Sequence, residues 1–425
     1  MSVAAQSLME NISYEDLYHR WEHGNWSAYD IDFSEDRKGW DGLSDIQRRS
    51  AMWIYSMFFY GEDRVADTLA PYITAAPTEE QAYFLATQQV DEVRHSVFFH
   101  RFFKEVIGVD GSSLQATLAS TLPQLNWGYH GIFDRLDLMA EELRKDRSLP
   151  KYAQAITLYH LIVEGSLAQP GQHFIEDFLA EEGTMPGFSS GMENVSKDEQ
   201  RHIGFGVKVL SELLAESEEC KAAVVELLRE TLPYGVAVFT PPNWNREYTE
   251  CYGFSVEDIF AFGLKLIRQR WRTIGFPTEE MPPGVFPFDP DKSEEEIAES
   301  QIKLLWAGVV GQPGLVEPQS SPELQRIFFD IVARSADPAA ANGSPLVYQW
   351  RFSDAEPWHL VLEHGSTRAE PGEAPNPTVT FETSWADWVL STRPGANPVM
   401  SILRGRIRPR GKVRELMRMR KVFPG

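Results

Sequence analysis

Cysteine, long apolar runs and basic charge are all scarce in this sequence. Its 425 residues include two cysteines, Cys220 and Cys251, too few for a disulfide scaffold, a four-cysteine zinc site or a self-contained iron–sulfur cluster. No apolar run reaches the roughly 18 to 20 residues of a membrane span, and the N-terminus lacks a basic region followed by an apolar one. These absences predict a cytoplasmic protein without a membrane span.

Acidic residues outnumber basic ones, with 62 Asp and Glu against 40 Lys and Arg, for a net charge of −22. Nucleic acid is therefore not an expected partner, because binding to a phosphate backbone needs a surplus of basic side chains. The exception is residues 404–421, which contain nine basic side chains and one acidic one, Glu415. We expect this basic stretch to dock on the acidic helical part of its own or a sister subunit, with an acidic electron donor as the alternative partner.

The chain is longer than most single domains, and its character changes at a proline-rich stretch. Five prolines between residues 276 and 290 exclude a continuous helix or a central strand there. We therefore predict a multidomain protein, with an all-α bundle and N-terminal aromatic arm over 1–276, a linker and connecting helix over 277–317, and a small α+β domain over 318–425. The aromatic residues of the arm are Trp21, Trp26, Tyr29, Phe33 and Trp40.

Hydrophobic periodicity predicts the elements of both domains. Amphipathic helices are expected over 45–73, 78–107, 126–146, 149–182, 188–217, 219–239 and 255–275, with Pro71 among their stop signals. Strands are expected over 346–352, 359–362, 378–381 and 401–408, with a short helix over 384–391.

One five-residue pattern, D-E-x-R-H, occurs twice, at residues 91–95 and 198–202, each time inside a predicted long helix. Residues three apart share a helix face, so the Glu and the His of each copy point the same way. A glutamate among apolar residues precedes each copy: Glu62 with 28 residues before the first copy, and Glu164 with 33 before the second. This spacing suits helical hairpins and allows all these side chains to meet at one depth in a bundle.

Four carboxylates and two imidazoles form a donor set that suits iron or manganese better than a thiolate-preferring metal. Four glutamates would also repel one another in a protein interior unless cations neutralised them. The sequence therefore predicts a site for two metal ions.

The doubled pattern with its upstream glutamates resembles the ferritin-like di-iron carboxylate superfamily, and within it the bacterial oxygenases and oxidases and the ribonucleotide reductase small-subunit fold. The resemblance spans about residues 10–275. It implies a ferritin-like bundle that holds two iron ions, or one iron and one manganese ion. The ligands that it implies are Glu62, Glu92, His95, Glu164, Glu199 and His202.

The same resemblance suggests roles for residues around the metals. Asp91 and Asp198 precede the motif glutamates and are expected to support the ligand histidines through hydrogen bonds, with His160 as a further candidate. Tyr159 is a candidate catalytic residue, because some oxidase relatives use a Tyr five residues before the third carboxylate. Those relatives crosslink it to a Val where this chain has Arg64. The residues expected to line an apolar substrate pocket are Phe58, Phe59, Phe99 and Ile162.

Oxygen activation is the function that this resemblance favours, in a non-haem di-iron oxygenase or oxidase that acts on a hydrophobic or carrier-linked organic substrate. The sequence has no dinucleotide-binding fingerprint, so an external electron donor such as a ferredoxin or a flavoprotein reductase is expected. Two alternatives stay open: a metal-containing lipid- or ligand-binding protein without turnover, and a radical protein like the ribonucleotide reductase small subunit. The second usually needs a Tyr where this chain has Phe99. The sequence is also compatible with a homodimer.

Residues from about 318 to 425 resemble the sterol-carrier-protein family, a small α+β domain with an apolar tunnel. This resemblance rests on the order of the elements and on two segments, 377–390 and 398–411. It implies lipid binding or substrate handling. The alternative is a module that only packs against the bundle or dimerises.

Overall fold

The computed structural model describes residues 12–109, 111, 113–341 and 344–424. The chain forms two compact units, which are Met1–Leu227 with Val238–Pro277 and Leu228–Ala237 with Thr278–Gly425. None of the described helices combines the length and the hydrophobicity that a membrane span requires.

The first unit is almost entirely helical. The boundary between the units falls within one helix, α10, after Leu227. In chain order the helices are α1 Tyr14–Gly24, α2 Asp36–Gly42, α3 Asp45–Ala75, α4 Glu79–Phe102, α5 Leu114–Ala119, α6 Trp127–Lys145, α7 Leu149–Ile156, α8 Gln169–Glu182, α9 Pro186–Glu216, α10 Glu218–Gly235, α11 Glu247–Glu250 and α12 Val256–Thr273. Helix α3 packs along α4 and α6, and α9 packs against α4 and α8. The long helices agree with the sequence-based prediction.

Local sequence signals set the beginnings of the two long helices α3 and α4. Ser44 and Thr78 cap them, because each side chain accepts a hydrogen bond from the backbone N–H of the third residue after it. The predicted stop at Pro71 is wrong, since α3 continues to Ala75. A proline inside a helix costs about 3 kcal/mol. Burial of the neighbouring Tyr72 and of Pro71 itself offsets that cost here.

The helix that carries Glu164 departs from α-helical geometry. Between α7 and α8 the chain forms a π-helix, Thr157–Ala168. At its end the N–H of Gln169 donates to the carbonyl of Glu164, five residues back. Pro170 has no N–H to continue an α-helical ladder, which favours this wider turn. Such segments frequently occur at functional sites, and this one contains three of the residues predicted to act at the metal centre.

The described part of the second unit contains one five-stranded sheet. Its strands are β1 Leu346–Phe352, β2 Trp358–Glu363, β3 Ser366–Pro371, β4 Val379–Thr383 and β5 Arg408–Gly411, in the spatial order β3-β2-β1-β4-β5. Strand β1 pairs antiparallel with β2 and parallel with β4. The helices of this unit are α13 Glu294–Trp306, α14 Pro322–Ser335, α15 Trp385–Ser391, α16 Pro398–Leu403, α17 Val413–Met417 and α18 Met419–Val422. Phe329 of α14 stacks on Trp358 at 4.8 Å between ring centroids, which fixes one layer of the core.

Three predicted strands are confirmed, and the fourth, over 401–408, is wrong. Asn397 caps α16 there, and Gly405, with a φ of +71°, lies in the turn that follows it. The strand that does form here is shorter and later, at Arg408–Gly411, and it pairs with β4. No hydrophobic pattern predicts β3, because Ser366–Pro371 is a largely exposed edge strand without alternating apolar residues.

Candidate metal centre

Six buried side chains meet at one depth in the helical unit. They are Glu62 from α3, Glu92 and His95 from α4, Glu164 from the π-helix, and Glu199 and His202 from α9. Two overlapping groups can be drawn among them, each with donor atoms within 4.8 Å of one another, and these are Glu62, Glu92, His95 and Glu199, and Glu92, Glu164, Glu199 and His202. The cluster is therefore able to bind two metal ions, with two glutamates common to both groups.

The histidine rings turn the same nitrogen towards the glutamates. His95 Nδ1 lies 3.1 Å from Glu62 Oε2 and 3.5 Å from both a Glu92 and a Glu199 oxygen. His202 Nδ1 lies 3.2 Å from Glu92 Oε1. In both rings Nδ1 therefore faces the carboxylates, and Nε2 is left for a supporting partner.

Several buried polar atoms at this site lack a hydrogen-bond partner among the described residues and could act as metal ligands instead. One oxygen each of Glu92, Glu164 and Glu199, together with His202 Nδ1, is buried without a hydrogen-bond partner in the described structure. Unpaired buried polar atoms cost roughly 1 to 3 kcal/mol each, and more when charged. Oxygen and imidazole nitrogen donors are those that iron and manganese accept. The donor set thus fits the group that the sequence predicts.

Burial and mutual repulsion raise the pKa values of three of the four glutamates. Burial raises the pKa of Glu62 to about 7 and that of Glu164 to about 8. Burial also raises the pKa of Glu199 well above its usual range, and the charges of Glu164 and Glu92 add to this effect. Glu92 differs, since burial is outweighed by His202 and His95, which hold its pKa well below the usual value. The four glutamates therefore need added positive charge to ionise together.

The two supporting aspartates pair crosswise with the histidines. Asp198 Oδ2 accepts from His95 Nε2 at 3.1 Å, and Asp91 Oδ2 accepts from His202 Nε2 at 3.1 Å. Each motif copy thus supplies the partner for the histidine of the other copy. These bonds place the proton on Nε2 and leave Nδ1 free to act as a ligand.

Four further residues hold these aspartates, and the contacts that two of them make, Trp21 and Trp26, were not expected from the sequence. Arg201 Nη2 lies 2.6 Å from Asp91 Oδ2 and 3.0 Å from Asp198 Oδ1, so its charge balances the aspartates. Arg94 pairs with Asp91 at 3.2 Å. From the aromatic arm, Trp21 donates its Nε1–H to Asp91 at 2.9 Å and Trp26 donates to Asp198 at 2.8 Å. The arm is thus part of the support of the metal centre.

Gln88 is a second group that the sequence analysis missed, although it lies one helical turn before Glu92. Its Nε2 donates to Glu164 Oε1 at 2.8 Å and to Glu92 Oε1 at 3.3 Å. Its Oε1 accepts from His160 Nε2 at 3.0 Å. Burial lowers the pKa of His160 to about 3, which keeps this ring neutral. His160 therefore reaches the carboxylates only through Gln88.

We predict that Gln88→Leu lowers the affinity for the metal pair by about 10- to 100-fold, because loss of a hydrogen-bonding partner of the ligands usually costs that much. Titration of the metal-free protein with ferrous iron measures this change. Gln89→Leu is the matched control, since in the described part of the chain the Gln89 side chain bonds to the Ala66 carbonyl and to no metal ligand. Equal affinities of the two variants would contradict the assigned role of Gln88.

Tyr159 lies beside the cluster and donates its O–H to Glu92 Oε1 at 3.0 Å. Burial, reinforced by the negative charges of Glu92 and Glu164, raises the pKa of Tyr159 well above its usual value. The phenol therefore stays protonated and can act as a hydrogen-bond donor. Arg64, at the position of the Val that some relatives crosslink, pairs with Asp137 instead.

An apolar cavity adjoins the metal cluster. Its empty volume is about 560 Å³, including open solvent at its mouth. The lining residues are Met57, Phe58, Gly61, Glu62, Val65, Glu92, Tyr129, Phe133, Val163, Glu164, Leu167, Ala168, Glu199, Val238 and Phe239. Of the four residues expected to line a pocket, Phe58 is among them. Phe59 and Phe99 are instead fully buried in a stack of phenylalanines, and Ile162 is half-buried outside this lining.

Comparison with known proteins gives one family match for the helical part of the chain. The model of the family described as "Ribonucleotide reductase, small chain" matches residues 8–236. That range contains all six clustered side chains.

Solved structures of R2-like ligand-binding oxidases are similar to the helical part of this chain. Single-residue variants of an R2-like ligand-binding oxidase with an anaerobically reconstituted Mn/Fe cofactor are 25% identical to this chain, with a TM-score of 0.53, over 62% of this chain and 93% of theirs. An R2-like ligand-binding oxidase from Sulfolobus acidocaldarius is 24% identical, with a TM-score of 0.53, over 68% of this chain and 94% of its own. The first neighbours carry manganese and iron, the two metals that the buried donor set suits.

Proposed function

The chain belongs to the ribonucleotide reductase small-chain family, and from this premise we propose that it is a non-haem di-iron oxygenase or oxidase. The proposed substrate is a hydrophobic or carrier-linked organic molecule. Glu62, Glu92, Glu164 and Glu199, with the two histidines, would hold two iron ions or one iron and one manganese ion. The chemistry that such a pair supplies when bound is the reduction of O₂.

The cavity is the observation that carries this proposal. Apart from the four glutamates and the Tyr129 hydroxyl, every side chain in its wall is apolar. The Tyr129 hydroxyl is occupied, since it donates to the carbonyl of Met57. A molecule in the cavity would thus meet apolar groups on most sides and the metal ligands on one side, as expected for an apolar substrate presented to a metal pair.

The residues of this chain would position the ligands and keep water away from the site. Asp91 and Asp198 hold the two imidazoles in the tautomer that leaves Nδ1 free. Tyr159 offers a protonated hydroxyl to Glu92. The apolar wall around Phe58 and Val163 limits the access of water, which protects an oxidising site from unproductive reactions.

The electrons for O₂ reduction would come from outside the chain. The two cysteines are too few for an iron–sulfur cluster, and the sequence has no dinucleotide fingerprint. A ferredoxin or a flavoprotein reductase is therefore the proposed donor.

A radical-storage role has less support from this chain. Phe99 stands at the position where a stored tyrosyl radical usually needs a Tyr, and it packs on Phe98 and Phe188. Ligand binding without turnover is distinguished by experiment: a turnover enzyme consumes O₂ faster when its substrate is present.

We predict that Ala168→Phe abolishes the stimulation of O₂ uptake by apolar compounds while the protein retains its two metal ions. Ala168 lines the cavity without being a predicted ligand, so the added ring fills substrate space only. The measurement is O₂ uptake by the reduced, metal-loaded protein with a panel of fatty acids and aromatic compounds.

The matched control for this variant is Ala180→Phe, which adds the same ring at an exposed position twelve residues further along, on α8. If both variants keep the wild-type stimulation, the cavity is not the substrate site. If neither the wild type nor the control shows any stimulation, ligand binding without turnover is the better account.

We also propose that residues 318–425 form a sterol-carrier-like domain that binds a lipid or handles the substrate. In its core the indole N–H groups of Trp350, Trp358 and Trp388 are buried without an acceptor in the described part of the chain. An apolar ligand with an oxygen atom would satisfy such donors, which are costly to leave unpaired. Native mass spectrometry of the purified chain tests this, and a ligand-free mass together with no uptake of added fatty acid would favour a packing role.

A further inference from the structure

Two short helices at the edge of the sheet turn apolar side chains towards solvent. On α16, Val399, Met400 and Leu403 are exposed, Leu403 by 73%. These residues share one face of the helix by their spacing. Ile402, on another face of α16, packs against the core of the unit. The helix is therefore attached by one side and presents an apolar surface on the other.

Helix α17, which follows β5 in the chain, repeats this arrangement. Val413 is 74% and Met417 58% exposed, and these residues lie four apart on one face. Leu416 packs inward against the same core as Ile402. Strand β5 lies between the two helices in the sequence, and in the described sheet its one neighbour is β4, so it forms an edge of the sheet. Five of the exposed large apolar side chains of the described structure thus lie within residues 399–417.

Unpaired basic side chains surround these apolar ones. Arg404, Lys412 and Arg414 are exposed, and no acidic side chain among the described residues lies within 4.0 Å of their charged groups. On β5 the side chains of Arg408 and Arg410 share one face, and only Arg410 pairs with a carboxylate, that of Glu382 at 2.9 Å. The segment therefore has a local positive charge in a chain whose net charge is −22.

We propose that residues 397–421 form a docking surface for anionic lipid membranes. Exposed apolar side chains next to basic ones suit the boundary between acyl chains and headgroups. There the apolar side chains are buried among the acyl chains, and the basic side chains contact the lipid phosphates. The surplus acidity of the rest of the chain repels it from the same membrane, so this surface is the part that would face the lipid.

The side chains of this segment favour lipid over the other acidic partners. Residues 397–421 contain no aromatic residue, so the stacking that single-stranded nucleic acid binding uses is missing. An acidic protein surface, including the helical unit of a second copy, would pair with the basic side chains. Its charged groups would not bury the five exposed apolar side chains. The two kinds of partner are therefore distinguished by their dependence on the apolar residues.

The experiment is sedimentation of the full chain with vesicles of phosphatidylcholine alone and of an equal mixture of phosphatidylcholine and phosphatidylserine. We expect binding to the mixed vesicles only, and weaker binding at higher salt because salt screens the charges. Replacing Arg404, Lys412 and Arg414 with Gln should lower the partition coefficient about a hundredfold, since each basic residue near an anionic surface contributes about fivefold. Leu403→Ser combined with Val413→Ser should also release the protein.

Two control proteins keep this test specific. One replaces Arg147, Lys197 and Lys265 with Gln, which removes three exposed charges from the helical unit, and the other is Leu315→Ser, at an apolar side chain that is 53% exposed in the second unit. Both should bind like the wild type. The proposal is overturned if the full chain does not sediment with mixed vesicles, or if the serine pair leaves binding unchanged while the Gln triple abolishes it, which would indicate a purely electrostatic, protein-type partner.

Discussion

Glu92→Ala should abolish the binding of both metal ions, whereas Glu62→Ala should leave one ion bound. Glu92 belongs to both groups of donor atoms, while Glu62 belongs to one of them only. Loss of a shared carboxylate removes a donor and a negative charge from both ions at once. The expected loss of affinity exceeds the roughly 10- to 100-fold that follows removal of a ligand's hydrogen-bonding partner.

The other two glutamates of the cluster should differ in the same way. Glu199→Ala should behave like Glu92→Ala, because Glu199 is the other shared residue, and Glu164→Ala should behave like Glu62→Ala. Elemental analysis after anaerobic loading measures the number of ions per chain. Glu80→Ala is the control, since Glu80 is an exposed glutamate on the same helix as Glu92. If the shared and unshared positions give the same loss, the two-group arrangement is wrong.

The metal-free protein should become less stable as the pH rises from about 5 to about 8, while the metal-loaded protein should not. Glu62 and Glu164 have pKa values of about 7 and about 8 in the folded chain, against 4.5 as the ordinary value. Between these values the folded chain binds more protons than the unfolded chain, so the free energy of unfolding falls as the pH rises. One pKa unit corresponds to about 1.4 kcal/mol, so the total loss is on the order of several kcal/mol.

The histidines reinforce this trend at the upper end of the pH range. Burial alone would lower the pKa of His95 and His202, but the facing carboxylates raise it well above the ordinary value, so their stabilising contribution is lost as the pH rises above about 6.5. Glu92 and Asp198, with lowered pKa values, change the stability only in the acid range below about 4.5. His160 and His100, whose pKa values burial lowers, act in the opposite direction up to about pH 6.5. The raised pKa values of Glu62, Glu164 and Glu199 outnumber them there, so the net stability still falls, most steeply above about pH 6.5.

Metal binding reverses the effect, because the ligands must be deprotonated and the affinity therefore increases with pH. Thermal unfolding of the loaded and chelator-treated protein across this range measures the gap between the two Tm values, which should widen. Glu164→Gln removes one titrating carboxylate and should flatten the curve of the metal-free protein. A metal-free Tm that stays constant or rises from about pH 5 to about pH 8 would contradict this account.

The six clustered side chains could be predicted because their signal is local and repeated. Each Glu and His pair lies three residues apart on one helix, and the upstream glutamates lie one helical hairpin away. The crossed pairing of Asp91 with His202 and of Asp198 with His95 could not be predicted in the same way, since it depends on how α4 and α9 face each other.

Other parts of the site gave weaker signals. Gln88 could have been found, because a glutamine four residues before Glu92 lies on the same face of the helix. No sequence signal predicts the roles of Trp21 and Trp26. They contact the aspartates from an N-terminal segment, and hydrophobic periodicity does not predict where such a segment packs. The pocket was predicted only at Phe58, because an apolar run does not tell which ring faces a cavity and which, like Phe99, is enclosed in the core.

All of these predictions depend on a pair of metal ions held in the helical unit between its four glutamates and two histidines. The most direct measurement is elemental analysis of the full chain after anaerobic loading with iron and manganese, followed by removal of free ions. The account predicts two ions per chain, as two iron ions or as one iron and one manganese, and their loss in Glu92→Ala. One zinc ion per chain, or an unchanged metal content in that variant, would contradict it.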